Sequence, residues 1–121
     1  MKYLLLLYSD PNAAPPFDTP EQQAEHAHWM RYTQELAASG QMLAGDALQG
    51  IDTATTVRVR GGDVLTTDGP FAETKEVLGG YYLIEADGLD QALAWAAKIP
   101  NIEYGSVEVR PILDLDMGLS S

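Results

Sequence analysis

The 121 residues contain no cysteine. That absence excludes disulfides, thiolate metal sites and a cysteine nucleophile, and it suits a reducing compartment. Basic residues are scarce: seven lysines and arginines face 18 acids, a formal charge of −11. A surface so acidic repels nucleic acid and anionic membrane, so neither is expected as a partner. The most hydrophobic run, "YLLLLY" at Tyr3–Tyr8, is far below the roughly 20 residues of a membrane span. It also lacks the basic flank and cleavage site of a signal peptide. No P-loop or dinucleotide fingerprint occurs. The expectation is one acidic, cytoplasmic domain, long enough to bury roughly two-thirds of the surface its unfolded chain exposes.

What is present divides into short elements. Tyr3–Tyr8 is apolar at every position, which reads as a central strand covered on both faces. Ser9–Asp18 holds three prolines and no periodicity, a loop. Thr19 then serves as N-cap, with Pro20 at the first helical position and Gln22 three residues after the cap. This helix should run to about Ser39 and stop at Gly40, with Trp29, Tyr32 and Leu36 on its core stripe. A strand is expected within Gln41–Leu48. "ATTVRVR" (Ala54–Arg60) alternates, with Val57 and Val59 on the core face, and Gly61-Gly62 turns it back into Asp63–Thr67. Gly80–Ala86 reads as another strand, with Gly79-Gly80 a bulge or a close backbone approach. Asp87 caps a helix over Leu89–Ile99, and Tyr104–Leu113 alternates as the last strand.

Strand, helix, strands, helix, strand is the ferredoxin-like α+β layout, with two helices on one face of an antiparallel sheet. Because the first strand is apolar on both sides, the opposite sheet face also needs cover. The simplest cover is the same face of a second copy, hence a homodimer. Arg58, Glu108, Arg110, Tyr81 and Glu85 are expected around that apolar centre, rimming a cleft fit for a small polar or aromatic ligand.

Two stretches are specific enough to carry a family resemblance: "TTDGPFAETKEVLGGYYLIEA", from Thr66, and "GSVEVRP", from Gly105. With "ATTVRVRGG" and the opening "MKYLLLLY", they resemble the YCII-related proteins, in particular the branch named for the tetrapeptide Asp68–Phe71. The resemblance spans nearly the whole chain and implies a ferredoxin-like domain that pairs into a dimeric α/β barrel. Most members are uncharacterised, and some lie beside genes for alternative sigma factors, which implies a possible regulatory protein partner. A related short branch includes an enzyme that removes chloride from a chlorinated hydroquinone. There a helix-one histidine paired with an aspartate is the proposed catalytic pair, and His28 in "HAHWMRY" is the nearest match.

Residue chemistry narrows the candidates. An Asp in a turn usually accepts from the N–H two residues on, but for Asp68 that residue is Pro70, which has none. Its carboxylate then caps a short turn by accepting from Phe71 or Ala72, or it serves a ligand. Phe71 is expected to plug the core; Glu73, Lys75 and Glu76 form a solvated face or a dimer salt bridge. His26 and His28 lie about 160° apart around a helix and cannot share a metal, so no metal site and no cofactor are expected. Arg58 and Arg110 either hold an anionic ligand or pair with Glu108 and Glu85. Two functions follow. In one, a cofactor-independent enzyme uses His28 or Asp68 to move a proton, Tyr81 to orient the substrate and an arginine to bind it. In the other, a non-catalytic dimer binds a metabolite or a regulatory protein.

Overall fold

A computed structural model describes residues 1–13, 15 and 18–114. Six strands and two helices follow one another: β1 (Lys2–Ser9), α1 (Pro20–Ala38), β2 (Met42–Ala47), β3 (Thr55–Arg60), β4 (Asp63–Asp68), β5 (Val77–Glu85), α2 (Leu89–Ala97) and β6 (Gly105–Pro111). Four of the strands form an antiparallel sheet in the order β2-β5-β1-β6. Taken without β3 and β4, the chain runs βαββαβ with the crossed strand order of the ferredoxin-like fold. Strands β3 and β4 make a separate two-stranded sheet, a hairpin inserted between the second and third strands of that unit. Among the described residues no helix is long and apolar enough to cross a membrane.

Local chemistry sets the element ends. The Thr19 hydroxyl accepts from the Gln22 N–H at 3.2 Å, and Pro20 opens α1. Gly40, at φ 79°, closes it in the left-handed region that a side chain would resist. Helix α2 begins at Leu89, as its sequence suggests, but its cap is a different residue. Gly88 takes the cap position, and the side-chain oxygen of Gln91 accepts from the Asp87 N–H at 2.8 Å in place of an aspartate cap.

The core lies between the helices and one sheet face. Tyr3, Leu5 and Leu7 of β1, with Tyr82 and Ile84 of β5, face Tyr32 and Leu36 of α1 and Ala92, Ala96 and Ile99 from α2 and just beyond it. Tyr32 sits edge-on to both Tyr82 and Trp95, with ring centres 5.3 and 6.1 Å apart. Its hydroxyl donates to the Trp95 carbonyl at 2.9 Å, so the one polar group of that buried ring is satisfied. Burial, then the neighbouring Tyr82 and Glu35, push the Tyr32 hydroxyl well above the usual tyrosine range.

The other sheet face presents the alternate residues. Leu4 lies between Leu83 and Arg110, and Leu6 between Tyr81 and Glu108. Leu4, Leu6, Tyr8, Tyr81 and Leu83 are all only half-buried in one chain. The continuous apolar character of β1 therefore reflects two apolar faces, one already packed and one open.

The hairpin departs from expectation. Val57 and Val59 do not face the core; they stay 60% and 57% exposed, because β3 pairs only with β4 and no helix lies over the ribbon. Arg58 is consequently absent from the main sheet, and its guanidinium stacks 5.5 Å from the ring centre of Phe71. Phe71 is 79% exposed and plugs no core.

Candidate functional site

A cavity of about 450 Å³ opens between the middle of α1 and the β2–β5 pair, within the size range of small-molecule sites. It exists because two sheet positions there have no side chain. Gly80 sits opposite Ala47 on β2 and Leu7 on β1, and a Cβ on it would stand 2.9 Å from the Asp46 carbonyl oxygen. Gly45 lies beneath the Tyr82 ring, 2.7 Å from where its own Cβ would be. Gly79, skipped in the pairing of Leu7 and Tyr8 with β5, is the expected bulge residue.

His26, Trp29 and Thr33 supply the helix side of the cavity. They recur at spacings of three and four, so they share one stripe of α1. The Thr33 and Tyr82 hydroxyls share a hydrogen bond of 2.8 Å in which either can donate. Burial raises the Tyr82 hydroxyl above the usual tyrosine value, against a smaller lowering by Thr33. At the sheet edge Tyr81 donates to the Asp46 carboxylate at 2.9 Å, and that bond holds the exposed Tyr81 hydroxyl protonated beyond its usual range. Among the described residues no lysine or arginine lines this cavity. Its chemistry is one imidazole, one half-buried hydroxyl pair and one carboxylate–phenol pair around an aromatic and thioether wall from Trp29 and Met42.

Glu25 braces that wall. Its carboxylate accepts from the Trp29 indole N–H at 3.3 Å and from the Tyr104 hydroxyl. Burial and this contact with Glu25 drive the Tyr104 hydroxyl far above its ordinary range. Glu25→Ala should free the indole and move Trp29 towards water. Because Trp29 and Trp95 are the two tryptophans, a Trp95→Phe background isolates the signal. We expect a red-shifted, less anisotropic Trp29 emission there; an unchanged spectrum would show that Glu25 does not position the ring.

The residues singled out in the sequence scatter. His28 lies on the exposed side of α1 and does not line the cavity; within the described residues it has no hydrogen-bond partner. Asp68 closes β4 opposite Thr55 and stays exposed. Its carboxylate caps neither Phe71 nor Ala72, because the turn is held by other groups: the Gly69 N–H donates to the Ala54 carbonyl at 2.7 Å, and the Thr56 hydroxyl donates to the Gly69 carbonyl at 2.8 Å. Tyr81 and Arg110 do share the open sheet face, as expected, in neighbouring rows across β1. The Glu85 carboxylate pairs with the N-terminal ammonium at 2.8 Å and not with Arg110. His26, and not His28, is the histidine that reaches the cavity. The signal was available: it lies three residues before Trp29 and seven before Thr33. Among the described residues no cluster of three potential ligands could hold a metal ion.

The "ETKE" half of the motif returns the chain to the sheet. Ser106 on β6 donates to Glu76 at 2.9 Å, and Lys75 and Glu76 line a second, more open hollow with Tyr8 and Tyr104. A model of the YCII-related domain matches residues 1–116. The chain belongs to the YCII-related family. An uncharacterized protein of Rhizobium meliloti is 33% identical to this YCII-related chain over 114 residues, 93% of this chain and 92% of the relative. Among solved structures, it resembles 5-chloro-2-hydroxyhydroquinone dehydrochlorinase from Burkholderia phenoliruptrix in complex with 2,5-dihydroxybenzoquinone. That likeness has a TM-score of 0.53 and 15% identity, over 93% of this chain and 94% of the other. At such identity the likeness speaks for the fold.

Proposed function

We propose that this YCII-related chain is a small-molecule enzyme whose centre is the cavity beneath α1, and that it works by acid–base chemistry of its own side chains. The observation that carries the reading is the convergence of His26, the Thr33–Tyr82 hydroxyl pair and Asp46 on one aromatic-walled cavity. An imidazole can both take and give a proton during a reaction. Trp29 and Tyr82 offer faces to a flat ring, and the hydroxyl pair offers a hydrogen bond to a ring substituent. His28, Asp68, Arg58 and Arg110 have no place in this centre; Tyr81 orients Asp46 at its edge. The structural neighbour, an enzyme bound to a hydroxylated six-membered ring, supports a substrate of that size and shape. The working form is a homodimer, joined through the open sheet face around Leu4, Leu6 and Leu83.

Chloride release from 5-chloro-2-hydroxyhydroquinone, and spectral change of other hydroxylated rings, test the enzyme. Turnover should fall by about 10²–10⁴-fold in His26→Ala, the usual weight of one acid–base group, and stay near wild type in His28→Ala. A loss confined to His28→Ala would sink the assignment. One observation favours the second reading, a non-catalytic module for a metabolite or a regulatory protein: among the described residues His26 has no carboxylate to orient it. Saturable binding of 2,5-dihydroxybenzoquinone without any turnover across the ring series would decide for that module.

A further inference from the structure

The β3–β4 hairpin is built with care and left uncovered. Its six residue pairs run from Thr55–Asp68 to Arg60–Asp63 without a register break. Gly61 and Gly62, at φ 58° and 85°, supply the two left-handed residues that a tight hairpin turn requires. The ladder sorts its side chains into two faces. Val59 lies opposite Val64, with Val57 opposite Thr66 on the same face, while Arg58 and Leu65 lie on the other. Val57, Val59 and Val64 are 60%, 57% and 67% exposed. Among the described residues, no hydrogen bond ties β3 or β4 to the four-stranded sheet; the ribbon is held at its base by Gly69 and Ala54. An isolated two-stranded ribbon is marginal in water and needs a packed face to persist.

The geometry points to a second copy of this chain as the cover: the valine face of each hairpin packs on the partner protomer as a two-fold exchanged arm. Charge selects this occupant. The hairpin carries two arginines, Arg58 and Arg60, and two aspartates, Asp63 and Asp68, so it is neutral, while the rest of the chain carries the whole −11. Two bodies so acidic repel one another, and the neutral arm is the segment that crosses to the other copy without adding to that repulsion. The chain also offers a second open apolar surface, the sheet face around Leu4, Leu6 and Leu83. A two-fold pairing places like surfaces in reach of both copies and covers arm and sheet together. An unrelated partner would have to match each separately.

This inference rests on the homodimer half of the proposed function and is independent of the enzyme half. The test compares the wild type with Val59→Lys/Val64→Lys by sedimentation and light scattering across a concentration series. Hydrogen exchange of the β3 and β4 amides is followed on the same samples. The wild type should have the mass of two chains, with arm amides protected. The double variant should dissociate at least about 30-fold more readily and lose that protection, while its circular dichroism stays native. A dimer of unchanged affinity in the variant overturns the arm and leaves the homodimer standing. A wild-type monomer overturns both. Arm protection that does not depend on protein concentration places the cover within one chain, and protection acquired only with a different protein assigns the valine face to that protein; either result overturns the exchange.

Discussion

Valine at position 80 should abolish binding of 2,5-dihydroxybenzoquinone while leaving the domain folded. The position has no room to spare on the sheet side: a Cβ there meets the Asp46 carbonyl oxygen at 2.9 Å and the Ala47 Cα at 3.4 Å. Both are backbone atoms of β2, so they cannot rotate away, and β2 itself must move. Two further methyls add bulk at the floor of the space beneath Trp29 and His26. Overpacking of this kind costs about 1–3 kcal/mol, out of the 5–15 kcal/mol typical of a domain. The variant therefore stays folded, and its loss of binding reports the cavity and not general collapse. Gly45→Ala is the informative comparison. Its Cβ presses on the Tyr82 ring, a side chain able to turn, so it should weaken binding by disturbing the Tyr82–Thr33 pair without filling the floor. Calorimetric titration with a denaturant midpoint for each variant separates the two effects. Wild-type affinity in Gly80→Val would mean that the ligand binds elsewhere.

The same two glycines mark the boundary of what the sequence discloses. A glycine pair in a strand announces a bulge or a close approach, and both occur at Gly79 and Gly80. It does not announce that Gly45, 35 residues before Gly80, is paired with Tyr82, two residues further along β5, so that the missing side chains of two strands form one hole. Helix α1 was legible because its signals are local: a capping threonine, a first-turn proline and a closing glycine. The core of β1 was legible because its six consecutive apolar residues can only be central. The hairpin shows the limit of periodicity. The alternation in "TTVRVR" correctly predicts a strand with two unlike faces, yet period two says nothing about which sheet the strand joins, and tertiary pairing put the valines outside. Phe71 follows from that displacement. An aromatic beside a turn is a core candidate only if the turn sits over the core, and this turn ends a ribbon that leaves it. The histidines were separable by phase. His26 shares its stripe with Trp29 and Thr33, whereas His28 lies on the solvent side of the same helix.

Leu5→Ala should be the most destabilising single truncation in the molecule. Leu5 is 0% exposed in β1, flanked by Tyr82 on β5 and Val109 on β6, and it faces the helices. Three methyl or methylene-sized groups vanish there from a site closed on both sides by paired strands. The backbone cannot close the gap, so a cavity term adds to the lost transfer energy, together about 2–5 kcal/mol. For a domain of this size that lowers the melting temperature by roughly 4 °C per kcal/mol. A cost below about 1 kcal/mol would contradict the placement of Leu5 in the core. Leu4→Ala, one residue away, removes the same atoms from the opposite face, where a single chain leaves Leu4 only half-buried between Leu83 and Arg110. In an isolated chain its cost should be well under that of Leu5→Ala, because part of the surface it exposes was already wet. If a second copy covers that face, the cost of Leu4→Ala instead becomes a cost to association. It then appears as a melting temperature that falls more steeply than wild type on dilution. The pair of leucines thus separates the two faces of one strand: a loss at Leu5 that ignores concentration, and a loss at Leu4 that follows it. Equal, concentration-independent losses at both positions would place the cover of the second face inside the chain and remove the need for a partner.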